Sequence, residues 1–400
     1  MKNSPRAGRP GNTRSGFRWP FYLVIGAAIA FTLLTRQDGG SGGPDPLLDG
    51  LGAGLGALLG LQFTLALQLL LGGAGGVAPT ALALGFGARV TTLRVGGMAL
   101  TVRRIPVPFV SADSTVVAGP RLRVRLWLTT LVSVAVPITT AGLLIIGTSG
   151  FPRALGFGLL MLPAMSLTVL ARIPLTAGWI LFLMPLRPGA LEALATSPDE
   201  LAGGRAMRLG RLGEARAALD RAPADGPPRL ASAQLRAQVA LGEGRYQEAA
   251  AAAYQAATLA PHARMSGLAH HLRAAALVGA AETGELPPAE YLPRLAESLG
   301  LAHAAVPVLT RYLGTRADQA LLEGHRDAAL AHARTAAKLA TDAFWQANAE
   351  CSTAAALAAL GRPDEARTAL DRARQAMPEL ARIEIVAGRI GLMEVTPAGA

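Results

Sequence analysis

Residues 50–88 read GLGAGLGALLGLQFTLALQLLLGGAGGVAPTALALGFGA and contain no charged side chain. About 20 apolar residues suffice for a helix to cross a bilayer, so this run decides the class of the protein. Its first part, 51–71, predicts a membrane span. The Gly/Pro-rich stretch Gly72 to Pro79 breaks the pattern, and a shorter apolar piece, Thr80 to Phe86, follows. Arg89 and Arg94 mark the return of charge. Residues 89–107 then change period, with Val90, Leu93 and Val95, a Gly96-Gly97 turn, and Leu100, Val102 and Ile105, which predicts a β-hairpin.

Upstream, residues 1–18 carry Lys2, Arg6, Arg9, Arg14 and Arg18 and no acid, and 19–35 is uncharged and apolar. A basic start before an apolar run also describes a signal peptide. No small-x-small cleavage site follows Leu34, however, and further apolar segments come after it, so an uncleaved anchor is the better reading. Downstream, Arg121, Arg123 and Arg125 precede a span at 126–147. A last apolar stretch, 154–186, is interrupted by Pro163, Arg172 and Pro174. It reads as one kinked span or as a span followed by a membrane-dipping segment. A mid-bilayer Arg costs about 2.5–3.5 kcal/mol on insertion scales, which puts Arg172 at an interface or against protein. The expectation is a membrane domain over 19–186, with spans near 19–35, 51–71, 126–147 and 154–186 and both termini in the cytoplasm of a cell-membrane protein.

Charge supports this division. Of the chain's 38 basic and 27 acidic residues, 15 and four fall before residue 187, so the remainder balances at 23 each. The excess of +11 lies beside apolar segments, where the positive-inside rule accounts for it; nucleic acid is not an expected partner. Cys351 is the sole cysteine, which rules out an intrachain disulfide.

Residues 187–400 are Ala-rich, with Arg, Glu and Asp at helical spacing. A signature recurs at Gly210-Arg-Leu-Gly-Glu-Ala215, Gly244-Arg-Tyr-Gln-Glu-Ala249, Gly324-His-Arg-Asp-Ala-Ala329 and Gly361-Arg-Pro-Asp-Glu-Ala366. The first two glycines are 34 residues apart, and the pattern resembles the middle of a tetratricopeptide repeat, in which a short turn joins two helices. The long gap between Gly244 and Gly324 is expected to hold one divergent unit and a Pro-containing insert from Glu282 to Pro293. That resemblance implies stacked helix pairs and a concave groove for a protein or peptide. Tyr246, Tyr254, Phe344 and Trp345 are the candidate partner-binding residues, with the solenoid core as the competing place for Phe344 and Trp345. The fold class is then mainly α: a polytopic helical membrane domain with a small β-hairpin, followed by an all-α helical-repeat domain.

The order of features in the membrane half resembles the site-2 protease family of intramembrane zinc metalloproteases. Gly87 to Gly96 resembles the segment after that family's metal-binding helix, Arg103-Arg104-Ile105-Pro106-Val107 the return of its hairpin, Arg123-Val124-Arg125-Leu126-Trp127 the start of its next span, and Leu183 to Gly189 its last motif. The place implied for HExxH falls on Gly75-Gly76-Val77-Ala78-Pro79, and Pro188-Gly189 stands where Asp-Gly would provide a further ligand. Residues 1–186 contain no His, Cys or Glu. Zinc hydrolysis needs imidazole, thiolate or carboxylate ligands and a base for the bound water. The expectation is therefore a scaffold without catalysis, with no metal, no cofactor and no catalytic residue: an adaptor in the bilayer whose repeats bind protein. An active intramembrane zinc protease and a small transport component are the alternatives. Of the six histidines, all after residue 187, none is spaced as a metal ligand; His270 and His271 are adjacent and point about 100° apart on a helix.

The topology predicts that, with Cys351 replaced, a cysteine at Gly40 reacts with an impermeant thiol reagent in intact cells, and one at Gly388 reacts only after lysis. External labelling at Gly388 overturns it.

Overall fold

The computed structural model describes residues 46–95, 98–168, 171–187, 189–222, 228–306 and 314–395. The span expected at 19–35 and the Gly96-Gly97 turn lie outside them. In chain order the described elements begin with α1 (Pro46–Gly75), β1 (Val77–Val95), β2 (Met98–Val116), α2 (Leu122–Gly147) and α3 (Gly150–Leu167). Three helices are long and apolar enough to cross a membrane: Leu47–Gly75, Leu122–Gly147 and Gly150–Leu167.

Internal packing divides the chain into two units. Among the described residues, one contains 46–67 with 131–168, Ala171 and Thr176–Gly178; the other contains Gln68–Thr130, Arg172–Leu175 and the described residues of 179–395. In the first, α1 and α3 approach backbone to backbone. A Cβ added at Gly52 would lie 2.8 Å from the Phe151 carbonyl oxygen, and one at Gly60 2.9 Å from that of Leu159. At Gly56 and Gly158 an added Cβ would overlap the Leu155 and Ala53 carbonyls. Contacts advance along both chains in the same sense, so these helices run parallel. In an apolar solvent hydrophobicity gives helices no reason to associate, and small residues permit the close packing that does. Leu51, Leu55 and Leu59 occupy the opposite, exposed ridge.

Three sequence expectations are corrected or made more specific. First, the hairpin is longer than 89–107: β1 begins at Val77 and β2 ends at Val116, absorbing the Gly/Pro break and the apolar piece after it. Pro79, Gly85 and Gly87 deny this stretch a helix, while its backbone groups find a ladder from Val77↔Val116 to Leu84↔Val110. A second ladder joins Arg89↔Arg103 through Val95↔Met98, and Ala81 to Leu84 also lie beside Ala99 to Val102. The hairpin is therefore bent back on itself, with register shifts where it bends. Second, 154–186 is not one span. Helix α3 ends at Leu167, and a π-turn (Trp179–Leu183) and a 3-10 turn (Met184–Leu186) follow. Trp179, Ile180 and Met184 are buried with Val116, Leu122, Leu126, Leu191 and Leu194 in a protein core, and Arg172 is exposed. Third, the insert Glu282 to Pro293 is mostly helical, with only 284–287 joining two helices. Pro287 and Pro288 stand at a helix start, where a missing N–H costs nothing.

After α4 (Ala190–Leu194) come five helix pairs: α5 (Pro198–Arg208) with α6 (Leu212–Arg221), α7 (Leu230–Gly242) with α8 (Tyr246–Leu259), α9 (Ala263–Thr283) with α10 (Pro288–Ala305), α11 (Thr315–Leu322) with α12 (Arg326–Leu339), and α13 (Ala343–Ala359) with α14 (Pro363–Ala376). Helix α15 (Arg382–Val395) ends the described chain. Gly210, Gly244, Gly324 and Gly361 all adopt positive φ, between 73° and 83°, and each second helix starts two residues later. Around Gly244, Arg245 N–H bonds Ala240 O at 2.8 Å and Gly244 N–H bonds Leu241 O at 3.3 Å; the same two bonds recur at the other three glycines. These are Schellman closures, which satisfy helix-end carbonyls. The signature alanines, Ala215, Ala249, Ala329 and Ala366, are buried where paired helices meet. The first helices of successive pairs also touch one another, forming a row.

The positive φ at Gly324 comes with open space around a would-be Cβ, and Gly300 in α10 has open space without positive φ. Thermal melts should show Gly324→Ala destabilising by about 1–2 kcal/mol and Gly300→Ala neutral or stabilising by up to about 1 kcal/mol. Equal effects at the two positions would mean that the left-handed turn is not what the signature glycine provides.

Candidate functional site

Two clusters draw together charged side chains from distant parts of the second unit. The first is built on the opening turns of α2, from Arg123-Val124-Arg125-Leu126-Trp127. Arg125 Nε donates to Ala74 O at 2.7 Å and its Nη2 to Gly73 O at 3.1 Å, so one guanidinium closes the C-terminal end of α1. Positive charge also suits the negative end of the helix dipole. Arg123 and Trp127, four residues apart, share the other face of α2. Arg123 pairs with Glu192 at 2.9 Å, and Trp127 Nε1 donates to Leu181 O at 3.2 Å. The short arginine-tryptophan pattern is thus a three-way clamp on α1, the turns at 179–186 and α4.

The hairpin is fixed to the helix pairs by polar contacts. Arg205 Nη2 donates to Pro79 O at 2.7 Å, Arg208 pairs with Asp113 at 3.0 Å, and the Thr101 hydroxyl donates to Thr341 O at 3.2 Å. Ala118 N–H and Thr196 O meet at 2.9 Å beside a Thr196 N–H bond to Val116 O.

The second cluster lies inside the helix pairs, around Arg382. Its guanidinium takes Glu282 through Nε and Nη2, both at 2.7 Å, and Asp318 through Nη2 at 2.8 Å. Nη1 donates to Ser352 Oγ at 3.0 Å and Asn348 O at 3.3 Å. Each of these groups is buried, and the partners come from α9, α11 and α13. Burial disfavours the Arg382 charge, yet Asp318 and Glu282 outweigh it and hold the guanidinium protonated. Burial likewise pushes the Asp318 carboxyl above its ordinary range, with Arg382 opposing. The Cys351 thiol beside them is pushed up to about 12 by burial, which leaves it a protonated, weakly nucleophilic group at neutral pH.

The four aromatic candidates separate. Tyr246 is 1% exposed, Phe344 2% and Trp345 7%, all in one core, whereas Tyr254 is 54% exposed. Phe344 and Trp345 meet edge to face at 5.0 Å, and His271 meets Trp345 at 5.3 Å. Tyr246 lies against Gly279, and burial raises its phenol pKa; the hydroxyl has no hydrogen-bond partner among the described residues. Tyr254 carries Arg273 over its ring at 5.1 Å, and Arg273 pairs with Glu297 at 3.5 Å. Glu282, Asp318 and Arg382 were not singled out from sequence. Their signal was a charge on a helix face otherwise given to apolar residues, as in Arg382-Ile383 with Val386 and Ile390.

The segment aligned with HExxH crosses from helix to strand. Gly75 closes α1, Gly76 has φ +78°, and Val77 to Pro79 lie in β1. Among the described residues no group of three His, Cys, Asp or Glu converges in a way that would hold a metal ion. No protein-family model, curated protein or solved structure matches the chain.

A carboxyl whose pKa is raised by folding contributes most below its unfolded pKa, about 3.9, and loses that contribution as pH rises through the folded value. The Asp318 contribution should therefore shrink as pH rises, so the stability of wild type relative to Asp318→Asn, followed by unfolding, should fall between acid and neutral pH. Parallel curves would remove Asp318 as the source.

Proposed function

We propose that this chain is a non-catalytic integral membrane protein, an adaptor whose tetratricopeptide-like helical repeats bind a protein or peptide on the cytoplasmic side of a protease-like membrane core. The observation that carries the reading is the coexistence of two parts with different chemistry. Three apolar helices are joined to five helix pairs, and four of those pairs turn on the same glycine-centred hydrogen bonds. Helix pairs that bury a face only by stacking present extended surfaces, and such surfaces suit peptide recognition.

The residues of the membrane half support scaffold over chemistry. The segment that the site-2 protease resemblance aligns with the metal-binding motif contains glycine, valine, alanine and proline, none of which ligates zinc or moves a proton. Around it, Arg125 joins α2 to the C-terminal end of α1, Arg123 joins α2 to α4, and Arg205 and Arg208 join the first helix pair to the hairpin. Tyr254, exposed and backed by Arg273, is the candidate aromatic available to a partner on the outer surface.

A photo-crosslinking residue placed at Tyr254 in native membranes should give a discrete protein adduct, and one at Ile146, on α2, should give lipid adducts. Absence of a protein adduct at Tyr254 and at a second exposed position, Leu301, sinks the adaptor reading. Stoichiometric zinc with cleavage of a transmembrane peptide by the purified protein would replace it with protease chemistry.

A further inference from the structure

Helix α15 does more than stack on the pair before it. It contacts α13 and α14 and reaches α9, one hundred residues back in sequence. The link before it also leaves the last pair: Ala381 N–H bonds Gly242 O at 2.9 Å, and Glu379 accepts from Gly213 N–H at 2.8 Å. The helix therefore lies across the row formed by the first helices of three successive pairs.

Its contacts have the form of a ligand's. Arg382 makes five hydrogen bonds, to α9, α11 and α13, using Nε, Nη1 and Nη2. Two turns on, Arg389 donates to the Glu282 carbonyl. Ile383, Val386 and Ile390 are fully buried between these anchors, while Glu384 and Gly388 face outward. A buried ion cluster is a poor way to add stability, since apolar residues of the same volume do as well or better. What five directional bonds to one guanidinium provide is selectivity for arginine at one place and in one register. The receptor side keeps two carboxylates against that single guanidinium. The Tyr246 hydroxyl, buried beside Gly279, has no hydrogen-bond partner among the described residues.

We propose that the inner row of helices is a receptor for an amphipathic helix that opens with arginine, and that α15 occupies it as an internal ligand which a partner helix of the same chemistry displaces. This rests on the adaptor reading and names the chemistry of its partner. An attached competitor acts at an effective concentration in the millimolar range, so weakening its docking raises apparent affinity for an external helix by the fraction of receptor set free.

The probe is a labelled peptide with the sequence of residues 382–395, tested against the full chain in nanodiscs by fluorescence anisotropy. Wild type should bind it weakly. Arg382→Met should bind it at least about tenfold more tightly, and a peptide whose first residue is methionine should lose that gain. Because Arg382→Met leaves two buried carboxylates unpaired, Val386→Ala serves as a second variant: it keeps the ion cluster and should raise affinity by a smaller factor. Adding Asp318→Asn to Val386→Ala should lower peptide affinity again. The proposal is overturned if Val386→Ala, folded by circular dichroism, binds no better than wild type, or if binding ignores the peptide's arginine. Peptide binding with no protein adduct at Tyr254 or Leu301 would retain the receptor and remove the outer-surface adaptor reading.

Discussion

The passage from the first apolar helix into the hairpin depends on one guanidinium. A helix in an apolar run ends with carbonyls that lipid cannot satisfy, and a chain without charge from residue 50 to 88 has no local side chain to serve them. Arg125 provides the donors from 51 and 52 residues away, at Ala74 and Gly73. Once those carbonyls are closed, Gly76 can turn through positive φ and β1 can begin. Arg123 and Trp127, on the opposite side of the same helix turns, then fix α4 and the turns at 179–186. The positions of the hairpin and of the first helix pair follow from that clamp.

The helix pairs solve the same problem with glycine. Each signature glycine closes two helix-end carbonyls by its own and the next N–H, and the following helix starts at once. Alanine five residues on lets the two helices touch. Repetition of this turn sets the row of first helices, and that row brings Glu282, Asp318 and Asn348, far apart in sequence, around one point. Arg382 fills it. The regularity of the turns thus creates a site that none of the repeat signatures contains.

This order of causes explains what could be read from the sequence. The apolar helices were legible because lack of charge over some twenty residues has few other meanings, and the turns were legible because only glycine takes their φ without strain. Residues 72–86 were misread because apolar Gly/Pro-rich chain is ambiguous until its ladder partner, 110–116, is known. The same ambiguity affected 154–186, where Trp179 to Met184 are apolar because they enter a protein core and not lipid. In the repeats, residue type alone leaves aromatic side chains divided between groove and core, the choice that Phe344 and Trp345 present in the sequence. Tyr246, Phe344 and Trp345 fill the interior, where alanine-rich helices need bulk, and Tyr254 alone of the four stays outside.

The exchange of roles between aromatic and charged residues has a physical basis. In a domain with so much alanine, helices pack closely and leave few places for large side chains, so those places become core and the aromatics are consumed by it. Selectivity must then come from something that alanine cannot imitate, and a buried guanidinium with five acceptors meets that need at the cost of desolvating three charges. Such a cluster is worth keeping only where register matters more than stability. Three helices from three pairs converge on Arg382, so a shift of any one pair would break at least one of its bonds. The cluster therefore ties together the geometry of these three first helices, which is what the proposed receptor requires.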